Sequence, residues 1–310
     1  MRAAIRRSLA VMAVAAVALI VPATLSGAAV VVPEPVGPFG YTNGYNNTGR
    51  NPVCSFYKLA LGNGVGVEVG TRLPCVDGLT FSGSGVLYAY TIPPVRGYAG
   101  SSNLVTINPA TGAQTVVGSL GRGFLEGGMT FDKDGKLWLY SEPNDSTCAS
   151  GGSCLYSVDP ATGASTVVGG PGVSNFVPTG LAADCSSVYA TGGAAAGVNA
   201  KFLGDNLSTV NTATGAVTTV GNTGLAANTT GLDFASDGTL YTIGQPYVNG
   251  PAVFSPKSAT LSTATGAASN VQTWVSNDTI PNVVNGLAIA GISCPAPPEP
   301  PPVVQPSFTG

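Results

Sequence analysis

The sequence predicts an all-β fold, a five-bladed β-propeller of four-stranded antiparallel blades. The dipeptide Thr-Gly recurs about every fifty residues, at Thr111, Thr162, Thr214 and Thr265, and such a period filled with strand-like segments is typical of propeller blades. Gly-Leu or Gly-Met dipeptides keep the same period. The last repeat also stops after its first segment, while the chain begins with segments that complete it. These observations together predict a closed ring.

Each repeat offers four short segments rich in β-branched and aromatic residues, which are strands by length and composition. The first segment has the form GLxF, the second centres on an aromatic residue, the third carries an apolar position, and the fourth is TVVG-like. The first segments begin at Gly78, Gly128, Gly180, Gly231 and Gly286.

The connections within a repeat differ between the two edges of the predicted blade. Segments one and two meet at short glycine turns such as DKDG, where Gly135 supplies positive φ. Segments three and four meet at turns such as Asn108–Gly112 and Asp159–Gly163. The other edge carries long and varied connections, so we expect any ligand face on that irregular side.

The ends of the chain predict how the ring closes. Gly286–Ala290 supplies one C-terminal strand, and Phe39–Thr42, Phe56–Leu61 and Val67–Gly70 supply three N-terminal strands. A closed ring removes the sheet edges that an open stack would have to protect. We therefore expect the propeller to span residues 36–294.

The N-terminus is typical of a secretory signal. Arg2, Arg6 and Arg7 precede the apolar run Leu9–Val21, and small residues allow cleavage near Ala28. The sequence thus predicts a signal peptide over residues 1–28 and a secreted or cell-surface protein. An uncleaved anchor stays open as an alternative, and the membrane is otherwise approached only through the signal or a tether. Residues 295–310 are predicted to form a Pro-rich tail or linker.

Composition excludes several functional classes. Only 9% of the residues are charged, the sequence pI is about 4.8, and no basic run occurs, so a nucleic-acid partner is not expected. The chain has no histidine, which excludes a Ser-His-Asp triad and a histidine zinc site. We expect a monomer.

Six cysteines follow the signal and suit three disulfides in an oxidising compartment. Cys148 and Cys154 bracket one loop and are expected to pair. We prefer a second pair, Cys54 with Cys75, which leaves Cys185 with Cys294 by elimination. A Cys54–Cys294 bridge that staples the ring closed is the rival.

The residues just before each inner strand are predicted to surround the mouth of the central channel on the irregular side. Two carboxylates and three neutral oxygen groups could hold a hard cation such as Ca²⁺. The alternative interpretation is ordinary polar residues at a wet channel mouth, with no cofactor. The candidate ligand-binding residues are Asp77, Glu126, Thr179, Thr230 and Asn285, of which Asp77 and Glu126 are the candidate metal ligands.

Asp77 and Glu126 also raise the hypothesis of an acid/base pair for glycoside hydrolysis, which rests on fold-level analogy. Asp132 and Asp134 resemble the start of a calcium loop, but turn chemistry accounts for them better. Aromatic residues near the irregular side are expected to cover the top of the core rather than to stack on sugars. They are Tyr98, Phe124, Phe176, Phe202, Tyr247 and Phe254.

The motifs LYxVDPATGAxTxVG and GLxFDxDGxLY are carried by Asn103–Gly118, Cys154–Gly169, Gly128–Tyr140 and Gly231–Tyr241. They resemble secreted bacterial β-propellers of unassigned function, with more distant similarity to NHL-type and gluconolactonase-like propellers. The resemblance implies blades and turns, and it carries over no catalytic residues. We therefore expect an exported, non-enzymatic propeller that binds a protein or glycan at the cell envelope or serves as a structural module there. A metal-dependent hydrolase working at the channel mouth is the alternative.

Overall fold

The structure is a computed structural model, and the chain divides into two compact units, Met1–Val31 and Val32–Gly310, of which only the second contains described residues. The described residues are 33–45, 54–92, 100–143, 148, 152–173, 176–194, 205–225, 227–246, 255–276, 280–281 and 283–291. The predicted signal peptide and the Pro-rich tail therefore lie outside them.

The described part of the second unit contains twenty strands in five four-stranded antiparallel sheets, which are the predicted blades. Blade 1 comprises β1 (Phe39–Tyr45), β2 (Cys54–Ala60), β3 (Val65–Leu73) and β20 (Val283–Ile289). Blade 2 comprises β4 (Val76–Phe81), β5 (Leu87–Thr91), β6 (Asn103–Ile107) and β7 (Gln114–Ser119).

The other three blades follow in chain order with the same internal topology. Blade 3 comprises β8 (Phe124–Phe131), β9 (Leu137–Pro143), β10 (Cys154–Val158) and β11 (Ser165–Gly169). Blade 4 comprises β12 (Phe176–Ala183), β13 (Val188–Ala194), β14 (Asn206–Val210) and β15 (Val217–Asn222). Blade 5 comprises β16 (Ala227–Phe234), β17 (Leu240–Pro246), β18 (Lys257–Leu261) and β19 (Ala268–Thr273).

Blade 1 closes the ring as predicted, with one C-terminal and three N-terminal strands. Strand β20 pairs antiparallel with β1, and Gly40 lies opposite Ile289 in that register. The inner strands β4, β8, β12, β16 and β20 contact their neighbours around the ring, and several non-adjacent ones also approach within 8 Å between Cα atoms. The central channel is therefore narrow.

The hydrophobic core is divided among the five junctions between consecutive blades. Between blades 2 and 3, for example, the rings of Tyr90, Phe124 and Tyr156 pack edge to face. Equivalent clusters fill the other junctions. Burying one large apolar side chain contributes about 1.5–3 kcal/mol to stability. Each junction buries several such side chains, which hold its two blades together.

The recurrent glycines of the sequence also serve these junctions. The Thr-Gly turn of one blade packs on the glycine at the end of the outer strand of the preceding blade, as Thr214 does on Gly169 and Thr265 on Gly221. A side chain on Gly169 or Gly221 would overlap the backbone of that turn. The two motifs share one period because they are the two sides of the same contact.

Two disulfides agree with the sequence analysis. Cys54 is bonded to Cys75, and Cys148 is bonded to Cys154. The rival Cys54–Cys294 bridge is therefore wrong. Cys185 is also disulfide-bonded, and its predicted partner Cys294 lies outside the described residues.

Candidate functional site

The propeller has two chemically different rims. The turn rim is formed by the short turns that follow the first and third strands of each blade. In these turns Gly85 N donates to Ser82 O, and Gly112 N donates to Asn108 O. At the opposite end of the blades, which we call the loop rim, the second strand of each blade ends and the third begins. Of the connecting residues 46–53, 93–99, 144–151, 195–204 and 247–254, only Cys148 is among the described residues. Both predicted edges are thus present.

The turn rim is built from local hydrogen bonds that leave little chemistry free. Asp132 Oδ1 accepts from the backbone nitrogens of Asp134 and Lys136, each at 2.9 Å, and Asp132 Oδ2 accepts from Trp138 Nε1 at 2.8 Å. Both Asp132 oxygens are therefore used in the turn. This agrees with the turn interpretation of the DKDG sequence rather than with a calcium loop.

Four of the five predicted mouth residues occupy one register at the loop-rim end of the inner strands. Asp77, Thr179, Thr230 and Asn285 each precede the glycine of the Gly-Leu motif. All four side chains are buried. Their role in binding a ligand stays a prediction.

The fifth predicted residue, Glu126, is not in this register, because Gly127 is the residue that precedes Gly128 in blade 3. The register between β8 and β9 is irregular between Phe124 and Gly127. The side chain of Glu126 lies outside the description, so a pairing of Asp77 with Glu126 stays a prediction.

Asp77 has a structural role in blade 2. Its Oδ1 accepts a hydrogen bond from Gly78 N at 2.8 Å, and Gly78 has a φ of 59°. Gly286, which follows Asn285, also has a positive φ and packs on Gly78. The backbone of blades 1 and 2 therefore meets at this point, and the carboxylate stabilises the conformation that the contact requires.

A buried polar network that sequence analysis missed joins blades 4 and 5. The Asp205 carboxylate accepts from both the backbone nitrogen and the hydroxyl of Thr229. The Thr229 hydroxyl lies 3.2 Å from that of Thr179, which donates to the Thr191 hydroxyl at 3.3 Å. Thr179 was predicted as a mouth residue, and its neighbours were not.

Asp205 is almost fully buried, and one of its oxygens, Oδ1, has no hydrogen-bond partner within the described structure. Burial raises the pKa of the Asp205 carboxyl, and the hydrogen bonds from Thr229 oppose that rise. In blade 2 the corresponding position before the third strand is Ser102, whose hydroxyl accepts from Phe124 N of the next blade at 3.0 Å. In both blades the side chain at this position accepts a hydrogen bond from a backbone nitrogen of the next blade, and in blade 4 that side chain is a carboxylate.

A second carboxylate, the partly buried Asp233, lies at the junction where the ring closes. Its Oδ2 accepts from Ile289 N of β20 at 2.7 Å, and its Oδ1 accepts from Phe234 N at 2.9 Å. Burial raises the pKa of Asp233 to about 7, although both hydrogen bonds act to lower it. The only sequence signal was an aspartate in a GLxF segment where blades 2 and 3 have threonine.

Two of the six aromatic residues placed near the irregular side belong to the core, as expected. Phe124 is completely buried, and Phe176 is buried against Tyr140. Tyr98, Phe202, Tyr247 and Phe254 lie outside the described residues.

The described residues contain no group of three or more His, Cys, Asp or Glu side chains placed to hold a metal ion. In the same part of the chain, no helix has the length and apolarity needed to cross a bilayer.

Comparison with known proteins adds fold similarity only. No protein-family profile matches the chain, and no curated protein matches it. Among solved structures, TolB from Acinetobacter baumannii is similar, with a TM-score of 0.43 and 13% identity. The match covers 79% of this chain and 53% of the TolB chain. The PQQ-bound aldose sugar dehydrogenase from Streptomyces coelicolor is similar with a TM-score of 0.40 and 15% identity. That match covers 78% of this chain and 82% of the dehydrogenase chain.

Proposed function

We propose that the chain is an exported, non-enzymatic propeller that binds a protein or glycan at the cell envelope through its loop rim. The observation that carries the proposal is the difference between the two rims. Repeated local hydrogen bonds complete the turn rim, whereas every connection from a second to a third strand reaches the loop rim. Long, varied loops on a rigid scaffold are where binding residues concentrate.

Export is supported by the disulfides and by the predicted signal peptide. Cys54–Cys75 and Cys148–Cys154 are bonded, and structural disulfides persist mainly in oxidising compartments outside the cytoplasm. Cys148 and Cys154 also border a loop-rim connection. The second disulfide therefore restrains part of the surface that we assign to binding.

A binding role is favoured over catalysis because two of the predicted mouth residues, Asp77 and Thr179, already bond to groups inside the protein. Asp77 Oδ1 is bonded to Gly78 N, and the Thr179 hydroxyl is bonded to the hydroxyls of Thr191 and Thr229. A general acid or base must reach the proton that it transfers in a bound substrate. Buried groups with internal partners suit a scaffold better than that task.

The proposal is tested by binding of the purified protein to isolated cell envelopes and to glycan arrays. Replacing loop-rim residues 195–204 or 247–254 with Gly-Ser segments of equal length is expected to reduce binding about tenfold or more, as loss of an anchor of about 1.4 kcal/mol would. Lys133→Ala on the turn rim is the matched control and is expected to bind as the wild type does.

Two results would overturn the proposal. Equal losses from the loop-rim replacements and from Lys133→Ala would show that the loop rim has no special part. Hydrolysis of an arrayed glycan that chelators abolish would instead favour the alternative, a metal-dependent hydrolase at the channel mouth.

A further inference from the structure

A pocket of about 250 Å³ opens on the turn rim, where β1 begins and β20 ends. Its wall includes Pro38, Phe39 and Tyr41 from the start of the chain's first strand, and Ile289 and Ala290 from the end of its last. The pocket therefore lies on the opposite rim from the proposed binding loops. It is a separate feature of the molecule.

The pocket presents aromatic surface and one positive charge. Phe39 is 38% exposed, and the Lys58 ammonium lies 4.2 Å from the centre of its ring. Tyr41 is held in place because its ring stacks on Phe56 and meets the edge of Phe81. Among the described residues that line the pocket, Lys58 is the only charged one. Rigid aromatic faces beside a polar group are how grooves bind extended Pro-rich segments.

The chain itself carries such a segment immediately after the pocket wall. Residues 295–302 have the sequence PAPPEPPP, and they follow Ala290 by only a few positions. A Pro-rich segment of this kind favours the polyproline II conformation, which loses little entropy on binding. An extended chain covers about 3.4 Å per residue, so Glu299 lies within about 27 Å of Gly291 along the chain. The segment is long enough to return to the pocket.

The charges are complementary. Glu299 is the only charged side chain between positions 295 and 310, and Lys58 carries the one charge on the described wall of the pocket. A tether of a few residues also gives the segment a millimolar effective concentration at the pocket, so modest contacts suffice to keep it bound.

We propose that the turn-rim pocket binds the chain's own residues 295–302. The prolines pack on Phe39 and Tyr41, and the Glu299 carboxylate pairs with the Lys58 ammonium. The pocket thereby holds the C-terminal segment against the turn rim, away from the loops at the other end of the blades.

Zero-length carbodiimide cross-linking of the full-length protein tests the proposal, since the reagent joins an amine to a carboxylate only where the two are in contact. Peptide mass spectrometry is expected to find a Lys58–Glu299 product about tenfold above any Lys133–Glu299 product, as a tethered pair outcompetes random encounter. Lys133 is the matched control because it is an exposed lysine of the same rim. Glu299→Gln is expected to remove the product.

Two further arms decide the source of the bound segment. In a mixture of ¹⁵N-labelled and unlabelled protein, the product is expected within single chains, and hybrid products would assign the pocket to a second copy and overturn the proposal. Excess free peptide PAPPEPPPVV is expected to lower the yield in the wild type.

Charge exchange completes the test. K58E alone is expected to remove the product, and K58E/E299K is expected to restore a cross-link between positions 58 and 299. Lys58 is partly exposed, so the single variant is expected to fold, and its circular dichroism checks this. Absence of a Lys58–Glu299 product in the folded wild type, or a yield no higher than that of Lys133, would overturn the proposal.

Discussion

Gly118 at the end of β7 lies directly against the carbonyl oxygen of Thr162, which belongs to the Thr-Gly turn of the next blade. A Cβ atom on Gly118 would overlap that oxygen, and a Cβ atom on Gly163 would lie 2.7 Å from the carbonyl oxygen of Gly118. Both neighbours are backbone atoms and cannot move aside as a flexible side chain would. The contact ties the outer edge of blade 2 to the turn rim of blade 3.

We predict that Gly118→Ala lowers the free energy of unfolding by about 2–3 kcal/mol, because the added methyl group forces two backbones apart. Gly83→Ala is the control, since Gly83 has no atom within 4 Å of its Cβ position, and it is expected to change stability by less than about 0.5 kcal/mol. Equilibrium denaturation of both variants checks the difference. Equal stability of the two would show that the junction tolerates a wider spacing.

The architecture could be predicted from the sequence because its determinants are local and repeated. Turn glycines such as Gly112 and Gly135 have the expected positive φ, and the one-plus-three closure follows from the phase of the repeat. Every repeat samples the same physical constraints, so a pattern seen four times identifies the fifth blade even when it is split between the two ends of the chain.

The candidate site was less predictable because it depends on contacts between blades. Asp205 accepts a hydrogen bond from Thr229 across the junction between blades 4 and 5. No sequence motif predicts this pair, because it depends on how the two blades pack against each other. Glu126 shows the second difficulty. Gly127, and not Glu126, directly precedes Gly128, so the predicted carboxylate is one position out of the register that the other four residues share.

The two described disulfides are predicted to contribute unequally to stability. Cys54 and Cys75 are separated by 21 residues, and Cys148 and Cys154 by 6. Chain entropy assigns about 3 kcal/mol to the larger loop and about 2 kcal/mol to the smaller one. Cys54→Ser/Cys75→Ser is therefore expected to be the more destabilised variant in thermal unfolding. The opposite order would mean that native-state contacts, rather than loop closure, dominate.

Asp233 is predicted to make stability depend on pH near neutrality. Its pKa is about 7 in the folded protein, against 3.8 for an ordinary aspartate in an unfolded chain. A carboxyl whose pKa is raised by folding contributes full stability below the unfolded value, and that contribution is lost as the pH rises through the folded value. The wild type is thus expected to lose stability between about pH 4 and pH 7, by at most about 4 kcal/mol.

Asp233→Asn removes the titrating group. Its one oxygen can accept from Ile289 N, and the hydrogen bond from Phe234 N is lost. This variant is expected to show a flatter profile over the same pH range and to exceed the wild type in stability above pH 7. Denaturant unfolding at several pH values measures both. Asp205→Asn is a useful comparison because burial also raises the pKa of Asp205. A slope that persists unchanged in Asp233→Asn would contradict the assignment.

Substitutions of Asp77 distinguish a structural role of this residue from a metal-binding role at the channel mouth. Its Oδ1 stabilises Gly78 in a conformation with positive φ, and an asparagine oxygen can accept the same hydrogen bond. Asp77→Ala is expected to cost about 1–3 kcal/mol, since it leaves a buried backbone N–H without its partner. Asp77→Asn is expected to retain most of the stability.

Calcium supplies the deciding measurement, because a hard cation needs the negative charge that asparagine lacks. Thermal unfolding of the wild type and of Asp77→Asn is expected to give the same midpoint with millimolar Ca²⁺ and with chelator. A ligand that binds only the folded state raises stability by about 2.7 kcal/mol at one hundred times its dissociation constant, which such a melt resolves readily. A calcium-dependent rise in the wild type that disappears in Asp77→Asn would instead establish a cation site at the mouth, and Glu126→Gln would then show whether the second predicted carboxylate completes it.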